Sequence, residues 1–501
     1  MTEVARERSA PSTAPGAAPS SADIRQWAGP ALAVDHVPFF QTAPNPDAKR
    51  RMLLVFFYFA PSAEVGALRW MALTRFGAER GWAVDAVSLH PSFMGNLDTS
   101  RLTQLPSGVR LFGFSGAEPT WYRMLIQAWG RARRTAPRDA ASAMGGHLDG
   151  SDMTGGLSSG QASLWRRSFR SRMHFRLAGG LSERATDLGV ALTRSHRYDV
   201  IVSSGPPHAA HDAAREIATR SRVPFVMDLR DPWSDEIAMP EEMHSGAWRR
   251  AAQAHERRCV SSASLVVVTS QAHEVLQLSK YPNLRGRLRT VMNGADREPL
   301  PSSRIGRRFV VAYSGMIYLG RNPRSLFQAA ARVAKETGAS PSEFGVEFMG
   351  DEVCEGIPLT TMAAEEGLDQ HFRSHAFRPR KDALEFLSGA ALLVSLSART
   401  PTALPAKLFE YTRFDAWLLT LAEPRSAPAE LLRGTEASVV APDDVDGIAA
   451  VIRRRFDEFR AGVRPRALNH DGRFDRATQS ALMFEALEQI SGTGRPGAPP
   501  R

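Results

Sequence analysis

The chain has 501 residues, which is enough for about two to three domains. Hydrophobic residues make up 43% and charged residues 23%, a composition that excludes a wholly disordered chain. The only two cysteines, Cys259 and Cys354, exclude a disulfide scaffold and any four-cysteine metal site, and they suit a reducing compartment. The formal net charge of +10 favours anionic partners, which include phosphates, nucleic acid and a membrane surface.

The two ends of the chain have the composition of tails. Residues 1–48 are rich in Ala, Pro and Ser without an apolar period, and residues 491–501 are rich in Gly and Pro, so we expect both to be disordered. No apolar run reaches 18 residues, and no apolar signal-peptide core lies between Met1 and Arg25. We therefore expect a cytoplasmic protein, with peripheral contact to the inner membrane face left open.

Strands and helices are predicted to alternate along the first half of the ordered chain. Residues 52–57 form a continuous apolar run, typical of a strand buried on both faces of a parallel sheet. An alternating order of this kind predicts an α/β domain, which we place at residues 49–302. The predicted strands are 52–57, 83–89, 199–203, 224–228, 264–269 and 288–292, and the predicted helices are 65–81, 207–221 and 241–261.

A second alternating series predicts a second α/β domain at residues 303–465. Its predicted strands are 309–313, 344–349, 371–375, 390–396, 416–421 and 437–440, and its helices are 323–337, 379–388, 405–413, 426–433 and 443–460. Residues 466–490 contain one more helical stretch, and packing of this helix back on the first domain is a hypothesis that the sequence does not decide.

Residues 115–180 interrupt the first series. Ten arginines but only three aspartates lie between Arg123 and Arg176, around a loop rich in Gly and Ser. One interpretation is a solvated, loosely ordered insertion. The other is a basic surface for anionic lipid headgroups.

Polar motifs follow the predicted strands of the first domain, where parallel sheets bind their ligands. Gly66 stands ahead of the first helix, where backbone N–H groups bind anions. His208 and His211 follow the strand 199–203, and no third ligand with suitable spacing supports a metal site. His208 is a candidate donor to a sugar hydroxyl or phosphate, and a helix-capping or packing histidine is the alternative. Asp231 is a candidate acceptor-binding group or base. Asp228 is open to a structural interpretation as the ion-pair partner of Arg230, as in the segment Asp228-Leu-Arg-Asp-Pro-Trp233.

Two motifs of the second domain suit a diphosphate. Gly315 ends a strand, and Arg321 precedes a helix, which is a favourable place for a guanidinium that binds phosphate. Lys407 lies near the start of a short helix, and Glu410 is one turn further on. The alternative to a phosphate and ribose site is a surface Lys–Glu pair at i,i+3. The chain has neither G-x-G-x-x-G nor G-x-x-x-x-G-K-[ST], which argues against a dinucleotide oxidoreductase and a P-loop NTPase.

Taken in order, these motifs resemble those of retaining glycosyltransferases of the GT-B fold, family 4, over about residues 50–465 without the insertion. The motifs are F-x-P-x-x-x-x-G-x-x-R (59–69), S-G-P-P-H (204–208), D-L-R-D-P-W (228–233), N-G-x-D (293–296), S-G-x-I-Y-x-G-R-N-P (314–323) and L-P-x-K-L-F-E-Y (404–411). The resemblance implies two facing Rossmann-like domains with a central cleft, of which the C-terminal one binds a nucleotide-sugar donor and the N-terminal one the acceptor. It implies no metal and no cofactor beyond that co-substrate.

The resemblance also implies roles for particular residues. Gly66, Gly315, Arg321 and Lys407 are expected at the donor diphosphate, Glu410 at the ribose and Phe377 at the base. His208 and Asp231 are expected near the transferred sugar and the acceptor, as catalytic residues. The acceptor is expected to be a saccharide or a lipid-linked molecule, in the synthesis of a surface polysaccharide or glycolipid.

This sequence departs from the family pattern at two places. The first glutamate of E-x7-E is replaced by Thr402, and the lysine expected five residues after Arg321 is absent, so that Arg324 or Lys407 is left as its substitute. A non-catalytic nucleotide-sugar-binding or assembly protein is therefore the alternative function. A GT-B epimerase and a nucleic-acid-binding protein are further hypotheses. We expect no nucleic-acid partner, because the Arg cluster lacks regularly interleaved aromatic residues.

Overall fold

The structure is a computed structural model that describes residues 37–116, 164–235, 246–296, 298–303, 305–317, 321–397 and 401–493. Within these ranges, the side chains of residues 164–174 and 493 are not described. The core of the predicted 115–180 insertion, residues 117–163, lies outside the described residues.

An eight-stranded sheet forms the centre of the N-terminal domain. Its order is β1-β4-β3-β2-β5-β6-β7-β8, and all neighbours are parallel except β1 and β4. Four central strands are buried along their whole length because helices cover both faces of the sheet. The strands are β1 (Phe40–Gln41), β2 (Arg50–Val55), β3 (Trp82–Leu89), β4 (Val109–Phe114), β5 (Val200–Gly205), β6 (Phe225–Leu229), β7 (Leu265–Val268) and β8 (Leu288–Thr290).

Two hydrophobic cores fill the two faces of this sheet. Helices α3, α4 and α5 bury apolar residues on one face, and α1 buries them on the other. The helices of this part are α1 (Gly66–Glu79), α2 (Ser100–Thr103), α3 (Leu164–Ser195), α4 (Ala209–Ser221), α5 (Gly246–Ser262) and α6 (Gln271–Lys280).

The C-terminal domain contains a six-stranded parallel sheet with the order β13-β10-β9-β14-β15-β16. The strands are β9 (Phe309–Gly315), β10 (Phe344–Gly350), β13 (Phe372–Ala376), β14 (Leu392–Leu396), β15 (Trp417–Leu421) and β16 (Ser438–Val440), and a small ribbon pairs β11 (Val353–Cys354) with β12 (Ile357–Pro358). The helices are α7 (Arg324–Thr337), α8 (Leu359–Glu365), α9 (Arg380–Ser388), α10 (Ala406–Tyr411), α11 (Ala427–Leu431) and α12 (Val445–Arg460).

The last helix, α13 (Arg476–Thr493), packs on the N-terminal domain. The fully buried Phe484 lies against Phe76 of α1 and Trp82 of β3, with ring centroids 5.9 Å apart in both pairs. A Cβ at Gly77 would lie 2.4 Å from the Phe484 ring, so the glycine allows the close approach of α13 to α1. The chain therefore crosses from the second domain back to the first.

Strand β1 lies inside residues 1–48, which the sequence predicts to be a tail. The backbone N–H of Phe39 donates to the carbonyl of Leu111, and that of Thr42 donates to the carbonyl of Val109. The two-residue strand is too short for a detectable period, and it forms because the edge of β4 offers unpaired backbone groups. This correction moves the start of the folded chain upstream of residue 49.

The predicted α/β class and its two Rossmann-like domains are confirmed, and the architecture is the GT-B fold. In each sheet the strand order reverses at one point, which lies between β2 and β5 in the first sheet and between β9 and β14 in the second. Such switch points open a crevice at the carboxyl ends of the strands. Within the described residues, no helix has the length and apolar character needed to span a bilayer.

Candidate functional site

A buried arginine holds the loop that precedes α1. Arg101 donates to three consecutive carbonyls, those of Ser62, Ala63 and Glu64, at 2.6 to 2.9 Å. Gly66 follows this loop at the start of α1. A Cβ there would lie 2.3 Å from Nη1 of Arg230, so only a glycine lets the guanidinium lie against the helix start.

Asp228 is a fully buried structural carboxylate. It accepts from Arg69 Nη2 at 3.0 Å, from Trp70 Nε1 at 2.8 Å and from Ser204 Oγ at 3.0 Å. Burial raises the pKa of Asp228, but the Arg69 charge and the hydrogen bonds outweigh it and leave the pKa below its usual value. The ion-pair partner is thus Arg69, which corrects the sequence-based pairing of Asp228 with Arg230.

Arg230 instead closes the loop after β5. Its Nε donates to the Gly205 carbonyl at 3.1 Å and its Nη2 to the Pro206 carbonyl at 2.7 Å. The neighbouring Asp231 is half-buried, and burial raises the pKa of its carboxyl although the charge of Arg230 opposes the shift. A carboxyl with a raised pKa at the end of a strand is suited to proton transfer.

His208 lies at the start of α4 and stacks on Trp233, with ring centroids 5.0 Å apart. This contact joins the motif after β5 to the motif after β6. His211 lies beneath them, fully buried, with its Nδ1 2.7 Å from Ser203 Oγ, and burial lowers its pKa to about 4. Within the described residues, no group of three His, Cys, Asp or Glu side chains is arranged to hold a metal ion.

In the second domain, Gly315 and Lys407 come together at the end of β9. Gly315 has φ +126°, and a Cβ there would lie 2.3 Å from Lys407 Nζ. Lys407 donates to the Tyr313 hydroxyl and to the Ser314 carbonyl, both at 2.9 Å. Its two acceptors are uncharged, and burial together with the Arg321 charge lowers the pKa of Lys407 to about 7.

Lys407 and Glu410 do not form the surface pair that their spacing allows. The Glu410 Oε1 atom lies 2.8 Å from Nη2 of Arg380, the first residue of α9. Burial raises the pKa of the Glu410 carboxyl, and Arg380 opposes the rise. Arg321 lies close enough for its charge to act on Lys407, whereas Arg324 pairs with Glu365 and Glu366 at the C-terminal end of α8. The structure therefore argues against Arg324 as the substitute for the absent lysine.

A line of charged residues connects the two domains. Arg476, at the start of α13, pairs with Asp296 at 2.8 Å, and its pKa is lowered by burial and by the charges of both Arg69 and Arg380. Arg69 belongs to the first domain and Arg380 to the second. Arg476 therefore lies close enough to both domains for a charge of each domain to act on it.

Thr402 lies at another contact between the domains. The Ser270 hydroxyl, at the start of α6, donates to the Thr402 carbonyl at 2.7 Å, and both side chains are buried. Phe377 follows β13 directly, and the residue is 79% exposed.

Sequence reasoning missed three arginines of this site. Arg69 stands in a quoted motif but was given no role, because its partner is 159 residues away. Arg380 and Arg476 belong to no motif that the resemblance names. The only signal for Arg380 was its position at the start of a helix directly after a strand.

Comparison with known proteins reveals the fold alone. No family model and no curated protein matches the chain. Sucrose-phosphate synthase from Thermosynechococcus elongatus is similar in structure, with a TM-score of 0.57, 12% identity and coverage of 89% of this chain and 100% of that chain. TarM gives a TM-score of 0.55 at 8% identity over 88% and 99% of the two chains. The α,α-trehalose 6-phosphate synthase from Burkholderia multivorans gives 0.52 at 13% identity over 90% and 99%.

Proposed function

We propose that this chain is a glycosyltransferase that moves a sugar from a nucleoside diphosphate sugar to a saccharide or lipid-linked acceptor, with retention. In this proposal it is a hexosyltransferase of the family 4 type that works in the synthesis of a surface polysaccharide or glycolipid. It is cytoplasmic, and its arginine-rich segment 123–176 contacts an anionic membrane surface. That segment lies mostly outside the described residues.

The observation that carries the proposal is the pairing of Gly315 with Lys407 at the switch point of the second sheet. Gly315 has no side chain, so Lys407 Nζ can lie against its backbone, and the Arg321 charge acts on the same lysine. Both hydrogen-bond acceptors of Lys407 are uncharged. A diphosphate would add its negative charge to the charges of Glu410 and Asp351, which also act on this lysine. Cations held in place at such a site would stabilise the negative charge that develops on the departing diphosphate.

In this proposal, residues of the N-terminal domain contact the diphosphate, the transferred sugar and the acceptor. Gly66 would offer its backbone N–H to the diphosphate, next to the Arg230 guanidinium. His208, held by its stack on Trp233, would contact the transferred sugar. Asp231, with its raised pKa, would accept the proton of the acceptor hydroxyl.

The remaining donor contacts follow the resemblance. The Glu410 carboxylate would accept hydrogen bonds from the ribose, and the main chain at Phe377 would bind the base. The exposed Phe377 ring is available to a ligand in this arrangement.

The test is nucleotide binding followed by turnover. We would titrate UDP, GDP, dTDP, ADP and CDP calorimetrically, then assay the corresponding sugar conjugates for hydrolysis and transfer. Lys407→Gln is expected to weaken binding of the preferred diphosphate at least tenfold, because a hydrogen bond to a charged group contributes about 1.5–3 kcal/mol. Lys335→Gln is the matched control, since Lys335 is exposed on α7.

Three outcomes separate the hypotheses. Binding with transfer supports the enzyme. Binding without hydrolysis or transfer favours a non-catalytic nucleotide-sugar-binding protein. Two observations make this a specific alternative: Thr402 replaces the family glutamate, and its carbonyl accepts a hydrogen bond from Ser270. A folded protein that binds no nucleoside diphosphate refutes both.

A further inference from the structure

A bridging arginine joins Glu410 to the segment that connects the two domains. Arg380 Nη2 lies 2.8 Å from Glu410 Oε1, and Arg380 Nε donates to Glu298 Oε1 at 3.0 Å. Arg380 Nη2 also contacts Glu298, so one guanidinium holds two carboxylates. Glu298 belongs to the segment between β8 and β9, which connects the two sheets.

The bridge is held in place at both ends. The Glu298 carbonyl accepts a hydrogen bond from Arg413, which anchors the connecting segment to the second domain. Arg380 begins α9 directly after β13, so the helix fixes where its side chain starts. Glu410 lies on α10 with 22% of its side chain exposed, which leaves part of the carboxylate open to a ligand.

We propose that Arg380 is a positioning residue for ribose recognition: it holds one oxygen of Glu410 and leaves the other to accept from the ribose hydroxyls of the donor. This inference rests on the proposed function, in which Glu410 binds the ribose. A carboxylate has two oxygens and about four lone-pair sites, so one can be fixed by a guanidinium while the other binds a ligand. Without Arg380 the carboxylate would rotate, and its ordering on binding would cost entropy.

A surface ion pair is the simpler explanation, because 54% of the Arg380 side chain is exposed and exposed pairs contribute little to stability. The two explanations differ in what they predict. A surface pair has no connection with the ligand's hydroxyl groups. A positioning residue affects the discrimination between a ribonucleotide and its deoxy analogue.

The test compares a nucleoside diphosphate with its 2′,3′-dideoxy form. From UDP, GDP, ADP and CDP we would choose the one that the wild type binds most tightly and measure both forms by calorimetry. The variants are Arg380→Ala and Arg380→Lys, and the matched control is Arg378→Ala, an exposed arginine two residues away. Circular dichroism and thermal unfolding would verify that each variant is folded.

The wild type is expected to prefer the ribose form. In Arg380→Ala the ribose form should bind about tenfold more weakly, as when one hydrogen bond to a charged group is lost. The dideoxy form should change less than twofold, and Arg380→Lys should fall between. Arg378→Ala should leave the preference intact. Equal weakening of both forms by Arg380→Ala, or no weakening, overturns the inference.

The pH dependence gives an independent readout. The charged groups that face Glu410 are Arg380 and Arg413, which lower its pKa, and Glu298, which raises it; Glu410 in turn acts on Lys407. Removal of Arg380 therefore raises the pKa of Glu410 further, and the ribose preference should disappear at a higher pH than in the wild type. An unchanged pH limit contradicts the inference. Absence of binding by the wild type itself would refute the proposed function together with it.

Discussion

Lys407 is expected to take up a proton when a nucleoside diphosphate binds. Burial and the Arg321 charge lower the pKa of Lys407 to about 7 in the free protein. Its hydrogen-bond acceptors, the Tyr313 hydroxyl and the Ser314 carbonyl, are neutral. At pH 8 most of these lysines are therefore uncharged before the ligand arrives.

The size of the effect follows from two estimates. A unit charge about 4 Å away contributes roughly 4 kcal/mol at an effective dielectric constant of about 20. Since one pKa unit corresponds to about 1.4 kcal/mol, a bound diphosphate raises the pKa of Lys407 by roughly three units. The protonated fraction then rises from about 0.1 to nearly 1 at pH 8, an uptake of about 0.9 proton per site.

Calorimetry in buffers of different ionisation enthalpy measures this uptake directly. The observed binding enthalpy at pH 8 should change linearly with the buffer's ionisation enthalpy, with a slope near the number of protons taken up. At pH 8 the terminal phosphate of the ligand is almost fully ionised, so it contributes little to the slope. Lys335→Met, on the exposed face of α7, is the control and should keep the slope of the wild type.

The reasoning is refuted if the wild type binds a nucleoside diphosphate at pH 8 with an enthalpy that does not depend on the buffer. It is also refuted if Lys407→Met binds with the same slope as the wild type. Either result would mean that the protonation of Lys407 does not change when the ligand binds.

Three further predictions concern the framework around the site. Arg69→Met leaves the Asp228 charge buried and should lower the free energy of unfolding by about 3–5 kcal/mol in urea titrations. This deficit should shrink as the pH falls from 7 towards 4, because protonation removes the buried charge; a deficit constant over that range would contradict it. Gly315→Ala, at φ +126° and against Lys407, should cost about 1–3 kcal/mol of stability and weaken nucleotide binding, and wild-type affinity with unchanged thermal unfolding would count against it. Phe484→Ala should cost about 3–5 kcal/mol, measured by chemical denaturation, and a cost below about 1 kcal/mol would show that α13 is not part of the core.

The fold could be predicted because its signals are local. Most strands of the two sheets are short runs rich in apolar residues, and helices such as α7 have apolar residues at helical spacing. Strands β1 and β4 were not predicted. Strand β1 has only two residues and cannot show a period, and its pairing with β4 is about 70 residues distant; in β4, Arg110 and Gly113 interrupt the apolar run. The resemblance in turn identified the strand ends where the polar residues gather.

The partners of the polar side chains could not be predicted, because they are set by the fold. Arg230 is two residues from Asp228 in sequence, yet it donates to the carbonyls of Gly205 and Pro206. Pro206 and Pro207 have no N–H groups, so this turn has few backbone hydrogen-bond donors. The Arg230 guanidinium supplies the missing donors. Asp228, in strand β6, then pairs with Arg69 of helix α1.

The partners that the fold provides also decide how far the charge of each cation at the cleft is compensated. Three arginines at the boundary of the domains have carboxylate partners: Arg69 has Asp228, Arg476 has Asp296, and Arg380 has Glu298 and Glu410. Lys407 differs, because both of its hydrogen-bond acceptors are neutral. Its charge is therefore the least compensated of these. Burial and the Arg321 charge disfavour the protonated form, so the pKa of Lys407 is lowered. In the proposed function, the donor diphosphate at Gly315 would supply a charged partner next to this lysine.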